Sequence, residues 1–181
     1  MPRTEARATL RGVSFPLPAW ARAAPAEAPS PWAELGLGPR LAALAELVLP
    51  GRPVADVGAD HALLAEALLR AGRVPRAIAT DRARGPLEAA ALRLEGCAIR
   101  PELRLGEGLA PIGPGEAEVV ILAGFGARKM RALLAAADLF ALGVRQLVLQ
   151  PTAGLPGLRS WLAQRGFGLD AESIVREGRR G

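Results

Sequence analysis

Val119-Val120-Ile121-Leu122-Ala123-Gly124-Phe125-Gly126 is the stretch on which the fold reading turns. Five apolar residues run without a polar interruption, as in a strand buried on both faces of a parallel sheet. Glycines follow on each side of one aromatic ring, and then 127–137 shows the spacing of an amphipathic helix. The sequence on both sides repeats this strand-then-helix pattern. Upstream, Val54-Ala55-Asp56-Val57 predicts a strand, 62–71 a helix, Ala77-Ile78-Ala79-Thr80 a strand, and Pro86 opens a helix to about 95. Residues 103–105 predict a brief third strand. Downstream, 146–149 reads as strand, 155–165 as helix and 167–175 as a last strand. Before all of these, Leu41, Leu44, Ala45, Leu47 and Val48 give a helix that stops at Pro50-Gly51.

Strands alternating with helices of about ten residues imply βαβ units. Right-handed crossovers then give an α/β fold: a Rossmann-like, doubly wound, mostly parallel sheet between two helical layers. The 181 residues suffice for one such domain, and half of them are hydrophobic. We place that domain at 32–181. Residues 1–31 read as an arm or linker, because Pro2, Pro16, Pro18, Pro25, Pro29 and Pro31 interrupt regular structure. Within the arm, Val13, Phe15 and Leu17 alternate like one short edge strand.

Composition excludes several classes. Cys97 is alone and His61 is the only histidine, so neither a disulfide framework nor a histidine metal centre can be built. No apolar run reaches the roughly 18 residues of a membrane helix, and no signal core is present. These features point to a cytosolic protein, with a monomer expected. The formal net charge is +5, almost all of the cations are arginine, and Lys129 is the one lysine. That balance favours a polyanion such as RNA; a GC-rich genome would give the same bias.

In an open parallel sheet, ligands bind beyond the carboxyl ends of the strands. Asp56-Val57-Gly58-Ala59-Asp60-His61 follows the first strand. A dinucleotide site would show G-x-G-x-x-G there to cradle a pyrophosphate. One glycine followed by acids suits instead a ligand carrying ammonium and sulfonium charge, which points to S-adenosylmethionine and against a nicotinamide dehydrogenase. Asp81 ends the second strand, close to the roughly 20 residues expected between glycine loop and ribose acid. It also suits a helix cap. Gly106-Glu107-Gly108 after the third strand can hold a carboxylate near an adenine amine, or form a plain turn. Ala123-Gly124-Phe125-Gly126 opens a cleft floor beside a ring, or turns the chain tightly over a core phenylalanine. Gln150-Pro151-Thr152 can grip a base or make an ordinary turn. His61, beside Asp60 at a helix start, lines the cleft or is structural. Arg40, Arg128, Lys129, Arg131, Arg179 and Arg180 are candidate phosphate contacts.

Taken in order, the motifs resemble the bacterial tRNA (adenine-22-N1)-methyltransferase family. The resemblance spans residues 37 to about 175. It rests on Leu37-Gly38-Pro39-Arg40-Leu41, Ala55-Asp56-Val57-Gly58-Ala59-Asp60-His61-Ala62, Gly85-Pro86, Leu105-Gly106-Glu107-Gly108-Leu109, Ala123-Gly124-Phe125-Gly126 and Leu149-Gln150-Pro151. It implies S-adenosyl-L-methionine as cofactor and tRNA as partner. It implies donor contacts at Gly58, Asp60, His61, Asp81, Glu107, Gly108, Ala123 and Gly124, and Arg40, Asp56 and Gly106 are counted with them. It places Gln150, Pro151 and Phe125 against the adenine. The sequence departs from the family pattern at Glu107, Phe125, Ala127 and Thr152, where Asp, Met, Gly and Asn are usual. Family members also carry a helical C-terminal domain that this chain does not reach, so the resemblance implies a reduced member. Two other readings fit the same residues. One is a methyltransferase acting on another RNA or on a small molecule; the other is a non-catalytic RNA-binding homologue.

Overall fold

The structure is a computed structural model that describes residues 7–10, 13–16 and 30–175. The chain forms two compact units, Met1–Ser30 and Pro31–Gly181. In the first, β1 (Arg7–Leu10) pairs antiparallel with β2 (Val13–Pro16), with Leu10 opposite Val13. The alternation at Val13 and Phe15 predicts the second of these strands. Its partner has no such signal, and Leu17 and most of the proline-rich stretch lie outside the described residues.

The second unit runs α1 (Pro31–Glu34), α2 (Pro39–Leu47), β3 (Val54–Val57), α3 (Leu63–Arg70), β4 (Ala77–Asp81), α4 (Arg84–Arg93), β5 (Glu102–Leu105), β6 (Val119–Phe125), α5 (Ala127–Ala135), β7 (Gln146–Pro151) and α6 (Leu155–Ala163). Its five strands lie in the order β5-β4-β3-β6-β7, and every neighbouring pair is parallel. The order reverses between β3 and β6, which is the switch point where a doubly wound sheet opens a crevice. The predicted α/β doubly wound fold is therefore the observed one.

The period of two along each strand sorts side chains between two cores. Val54, Ala77, Ala79, Val119, Ile121 and Val148 face α1–α4 in one cluster. Ala55, Val57, Ile78, Val120 and Leu122 join Met130, Leu133, Leu134, Leu158 and Trp161 of α5 and α6 in the other. Both faces being buried, β6 opens on the continuous apolar run Val119–Leu122, and β3 is apolar except at Asp56. Trp161 closes the second core, with the Arg165 guanidinium 4.0 Å from its ring centre.

Side chains tie the ends of the layers. Gln146 of β7 accepts the Leu49 N–H at 2.9 Å and donates to the Leu47 carbonyl at 2.7 Å. Arg73 donates to the Glu46 and Val48 carbonyls at 2.8 and 3.0 Å. Together these satisfy orphan groups at the end of α2. Arg76, Glu102, Arg104 and Glu116 form an ion-pair network that fastens the edge strand β5 to the loop before β6. It holds the Glu102 carboxyl below the usual carboxylate range, chiefly through hydrogen bonds from Arg104 and Arg76.

The strand expected over 167–175 does not form; that stretch has no regular structure. Phe167 and Leu169 alternate with Gly168 and Asp170 as a strand would, but alternation needs a face to bury. Instead Phe167 N donates back to Leu162 O at 3.1 Å, closing α6, and Leu169 and Ile174 are exposed. Among the described residues the sheet ends at β7.

Candidate functional site

The glycine after β3 is the floor of the crevice. Gly58 has φ +70°, and a Cβ there would lie 2.3 Å from Cζ of Phe125. The ring of Phe125 therefore rests directly on the Gly58 backbone, which only a residue without a side chain permits. Across the sheet, the bulge between Ala123 and Phe125 carries the end of β6 beyond the regular ladder, with Phe125 opposite Pro151.

Around that ring is a cleft of about 440 Å³ lined by Val57, Gly58, Asp81, Arg82, Gly106, Glu107, Gly108, Phe125, Lys129 and Leu133. It gathers the ends of β3, β4, β5 and β6 with the first turns of α5. Six residues singled out from the sequence (Gly58, Asp81, Gly106, Glu107, Gly108 and Phe125) line it together. Asp81 is fixed by its loop: Oδ1 accepts the Ala83 N–H at 2.8 Å and Oδ2 accepts the Asp60 N–H at 3.3 Å. Each oxygen keeps a further lone pair for a hydroxyl donor. The Asp81 bond goes to Ala83, ahead of α4; the helix itself has no side-chain cap. Thr80 donates to the Gly108 carbonyl at 3.2 Å and so ties the Gly106–Gly108 turn to β4. Glu107 pairs with Lys129 across the mouth of the cleft.

The remaining predicted residues sit around this cleft rather than in its lining. Asp60 and His61 are exposed on the loop after Gly58, with His61 Nε2 3.7 Å from Asp60 Oδ1. Ala123 and Gly124 end β6. Gln150 ends β7, its Oε1 accepting the Gly124 N–H at 3.0 Å and an Arg40 N–H at 3.3 Å. Arg40, Gly124, Gln150 and Pro151 thus form a second group beside Phe125. Arg179 and Arg180 lie outside the described residues.

Asp56 is placed differently from the rest. It lies inside β3, 5% exposed, and accepts the Ala65 N–H. That serves the start of α3, whose N-cap Ala62 offers no side-chain acceptor. Burial pushes its carboxyl up to about 7.

Sequence reading had not put Lys129, Arg82 or Leu133 in the cleft. Lys129 and Leu133 are four residues apart on α5, so one helix face presents both. That spacing, placed directly after the Gly-Phe-Gly turn, was the available signal. Among the described residues, no cluster of three or more His, Cys, Asp or Glu side chains is arranged to hold a metal, and no helix is long and apolar enough to cross a membrane.

Fold and cleft together define a doubly wound α/β domain whose crevice is lined by three glycines, the carboxylates Asp81 and Glu107, the cations Arg82 and Lys129, and the Phe125 ring. Residues 37–181 match the family described as "Methyltransferase domain", and the chain belongs to that family. Within it, the chain is 32% identical over 146 residues to the tRNA (adenine(22)-N(1))-methyltransferase of Bacillus subtilis (strain 168), covering 80% of this chain and 61% of that protein. The crystal structure of the B. subtilis m1A22 tRNA methyltransferase superposes with a TM-score of 0.74 at 32% identity, over 79% of this chain and 62% of that one. A Streptococcus pneumoniae protein solved in complex with S-adenosyl-L-methionine is 35% identical, with a TM-score of 0.72, over 78% of this chain and 67% of that one. The chain thus spans about three fifths of the length of its B. subtilis relative.

Proposed function

We propose that the chain binds S-adenosylmethionine in the cleft at the ends of β3, β4, β5 and β6 and methylates N1 of an adenine in tRNA. The observation that carries this reading is the convergence of Gly58, Asp81 and Glu107 on one crevice at the switch point of the sheet. The fit is chemical. Asp81 and Glu107, with Gly58, Gly106 and Gly108 leaving room beside them, suit a cationic nucleoside, and Lys129 is already paired with Glu107; a dinucleotide pyrophosphate would meet Asp60 after Gly58 where it needs a glycine-rich loop of N–H groups. Similarity to the B. subtilis tRNA methyltransferase and to a relative that binds the donor supports the same reading.

When bound, S-adenosylmethionine supplies a methyl carbon activated by its sulfonium. The protein's own residues do the rest by positioning. Asp81 would accept the ribose hydroxyls, held in place by the Asp60 and Ala83 amides. Glu107 would accept the adenine amine of the donor, in competition with Lys129. Gln150, anchored through Oε1 by Gly124 and Arg40, would turn its Nε2–H groups to a ring nitrogen of the target base other than N1. Phe125 and Pro151 would offer apolar surface to that base. Neutral adenine N1 already carries a lone pair, so no general base is required. Alignment alone is worth roughly 7–11 kcal/mol in favourable cases. An adenine in a stack must first be swung out, at a cost on the order of a few kcal/mol. Lys129 in the cleft lining and Arg128 and Arg131 of the same helix are the candidate phosphate contacts, Arg131 lying over the Trp161 ring at 5.8 Å. We keep residues 1–31 as an arm or linker that precedes a methyltransferase domain at 32–181 in the chain, supported by the division at Ser30, and assign the protein to the cytoplasm with its tRNA substrate.

Incubation with methyl-labelled donor and unmodified tRNA, followed by digestion, is expected to yield labelled 1-methyladenosine. Label in another nucleoside or RNA would redirect the target. No transfer by folded, donor-bound protein would leave a non-catalytic homologue. Asp81→Ala is expected to weaken S-adenosylhomocysteine binding by at least about a hundredfold, since two charge-assisted hydrogen bonds at roughly 1.5–3 kcal/mol each are lost. Titration with a ligand lacking the 2′ and 3′ hydroxyls checks the assignment, because the variant and the wild type should then bind nearly alike. An equal loss for both ligands would reject the ribose role.

A further inference from the structure

The loop after Gly58 holds an unfavourable backbone. Asp60 (φ +52°) and Ala62 (φ +56°) both lie in the left-handed region, which side chains with a Cβ rarely adopt. Such geometry persists only where the surroundings impose it. Two restraints are internal to the site: the Asp60 N–H bond to Asp81, and the Ala62 N–H bond to the Ala59 carbonyl at 2.8 Å. The third comes from outside it. Arg93, the last residue of α4, donates through one terminal nitrogen to the His61 carbonyl at 2.9 Å. Its other terminal nitrogen pairs with Glu66, a carboxylate only 8% exposed on α3. Both ends of one planar guanidinium are therefore engaged, and the His61 carbonyl is fixed between two left-handed residues. The other oxygen of Glu66 faces Arg70 of the same helix at 3.5 Å.

We propose that Arg93, held by Glu66, is a positioning residue: it braces the Asp60-His61-Ala62 backbone in its left-handed form and so sets donor affinity without touching the donor. The affinity part rests on the donor-site reading above. Arg93 alone would also neutralise Glu66, so the test must separate charge pairing from bracing. In the full chain, Arg93→Met combined with Glu66→Gln removes the buried charge together with its partner. Arg93→Lys keeps a cation beside Glu66 but replaces the fork with a single ammonium.

Both variants are expected to melt close to the wild type. Residue-resolved hydrogen exchange of the Ala62 amide should be roughly tenfold faster, and S-adenosylhomocysteine binding roughly tenfold weaker, as for one charge-assisted hydrogen bond. Wild-type exchange at Ala62 in both variants would overturn the brace. Faster exchange with wild-type affinity would overturn the link to the donor. If the wild-type chain binds no S-adenosylhomocysteine, the donor reading and the affinity claim fall together, and exchange at Ala62 still decides whether Arg93 braces the loop.

Discussion

Gly58→Val is expected to abolish donor binding and to destabilise the domain by about 4 kcal/mol, from two terms of comparable size. At φ +70° a β-branched residue sits in the left-handed region, where an L side chain costs roughly 1–2 kcal/mol or more. Its Cβ would also begin 2.3 Å from the Phe125 ring, and relieving such crowding costs typically about 1–3 kcal/mol. The ring can swing, but it lines the cleft and packs against the α5–α6 core, so it must move into one or the other. For a domain of this size the melting temperature should fall by about 10 °C. In a Phe125→Ala background the crowding is absent and only the backbone strain remains, so Gly58→Val should cost there about half of what it costs in the wild type. Thermal melts of the single and double variants check this. An equal cost of Gly58→Val in the wild-type and Phe125→Ala backgrounds would mean that the ring contributes nothing.

The second large effect is a pH dependence. The Asp56 carboxyl is raised from its ordinary 3.8 to about 7, mainly because burial penalises its ionised form, with the Ala65 N–H acting in the opposite direction. The folded state therefore binds a proton that the unfolded chain has already released. Stability from protonated Asp56 is fully present below pH 3.8 and is lost as pH rises towards 7. At about 1.36 kcal/mol per pH unit the interval corresponds to on the order of 4 kcal/mol. Asp56→Asn keeps an acceptor for Ala65 and cannot ionise. Denaturant melts from pH 4 to 8 should show the variant gaining on the wild type across that window. A constant difference between the two proteins would reject a buried, shifted Asp56.

Much of the site was legible because its residues follow strands directly. Gly58, Asp81, Gly106, Glu107, Gly108 and Phe125 end or directly follow four separate strands, and a parallel sheet with a single switch point has one place to bring such strand ends together. Lys129 and Arg82 were missed as cleft residues because charged side chains at the start of a helix look alike whether they face a crevice or water. Asp56 was read with its neighbours Gly58 and Asp60, but strand alternation points it at α3, opposite to the face of Val57 and Ala55. The last predicted strand failed for a related reason: alternation at Phe167 and Leu169 is a local pattern, whereas a ladder needs a neighbour.

From the sequence alone came the order of elements, the parallel sheet and the doubly wound class, because periodicity and chain connectivity are local properties that leave few topologies open. Only the tertiary structure decided which carboxylates meet in one cleft, that Phe125 lies on Gly58, and that Arg93 reaches back 32 residues to the His61 carbonyl. Those contacts join groups distant along the chain, and their energies depend on separations of a few ångströms that no spacing rule encodes.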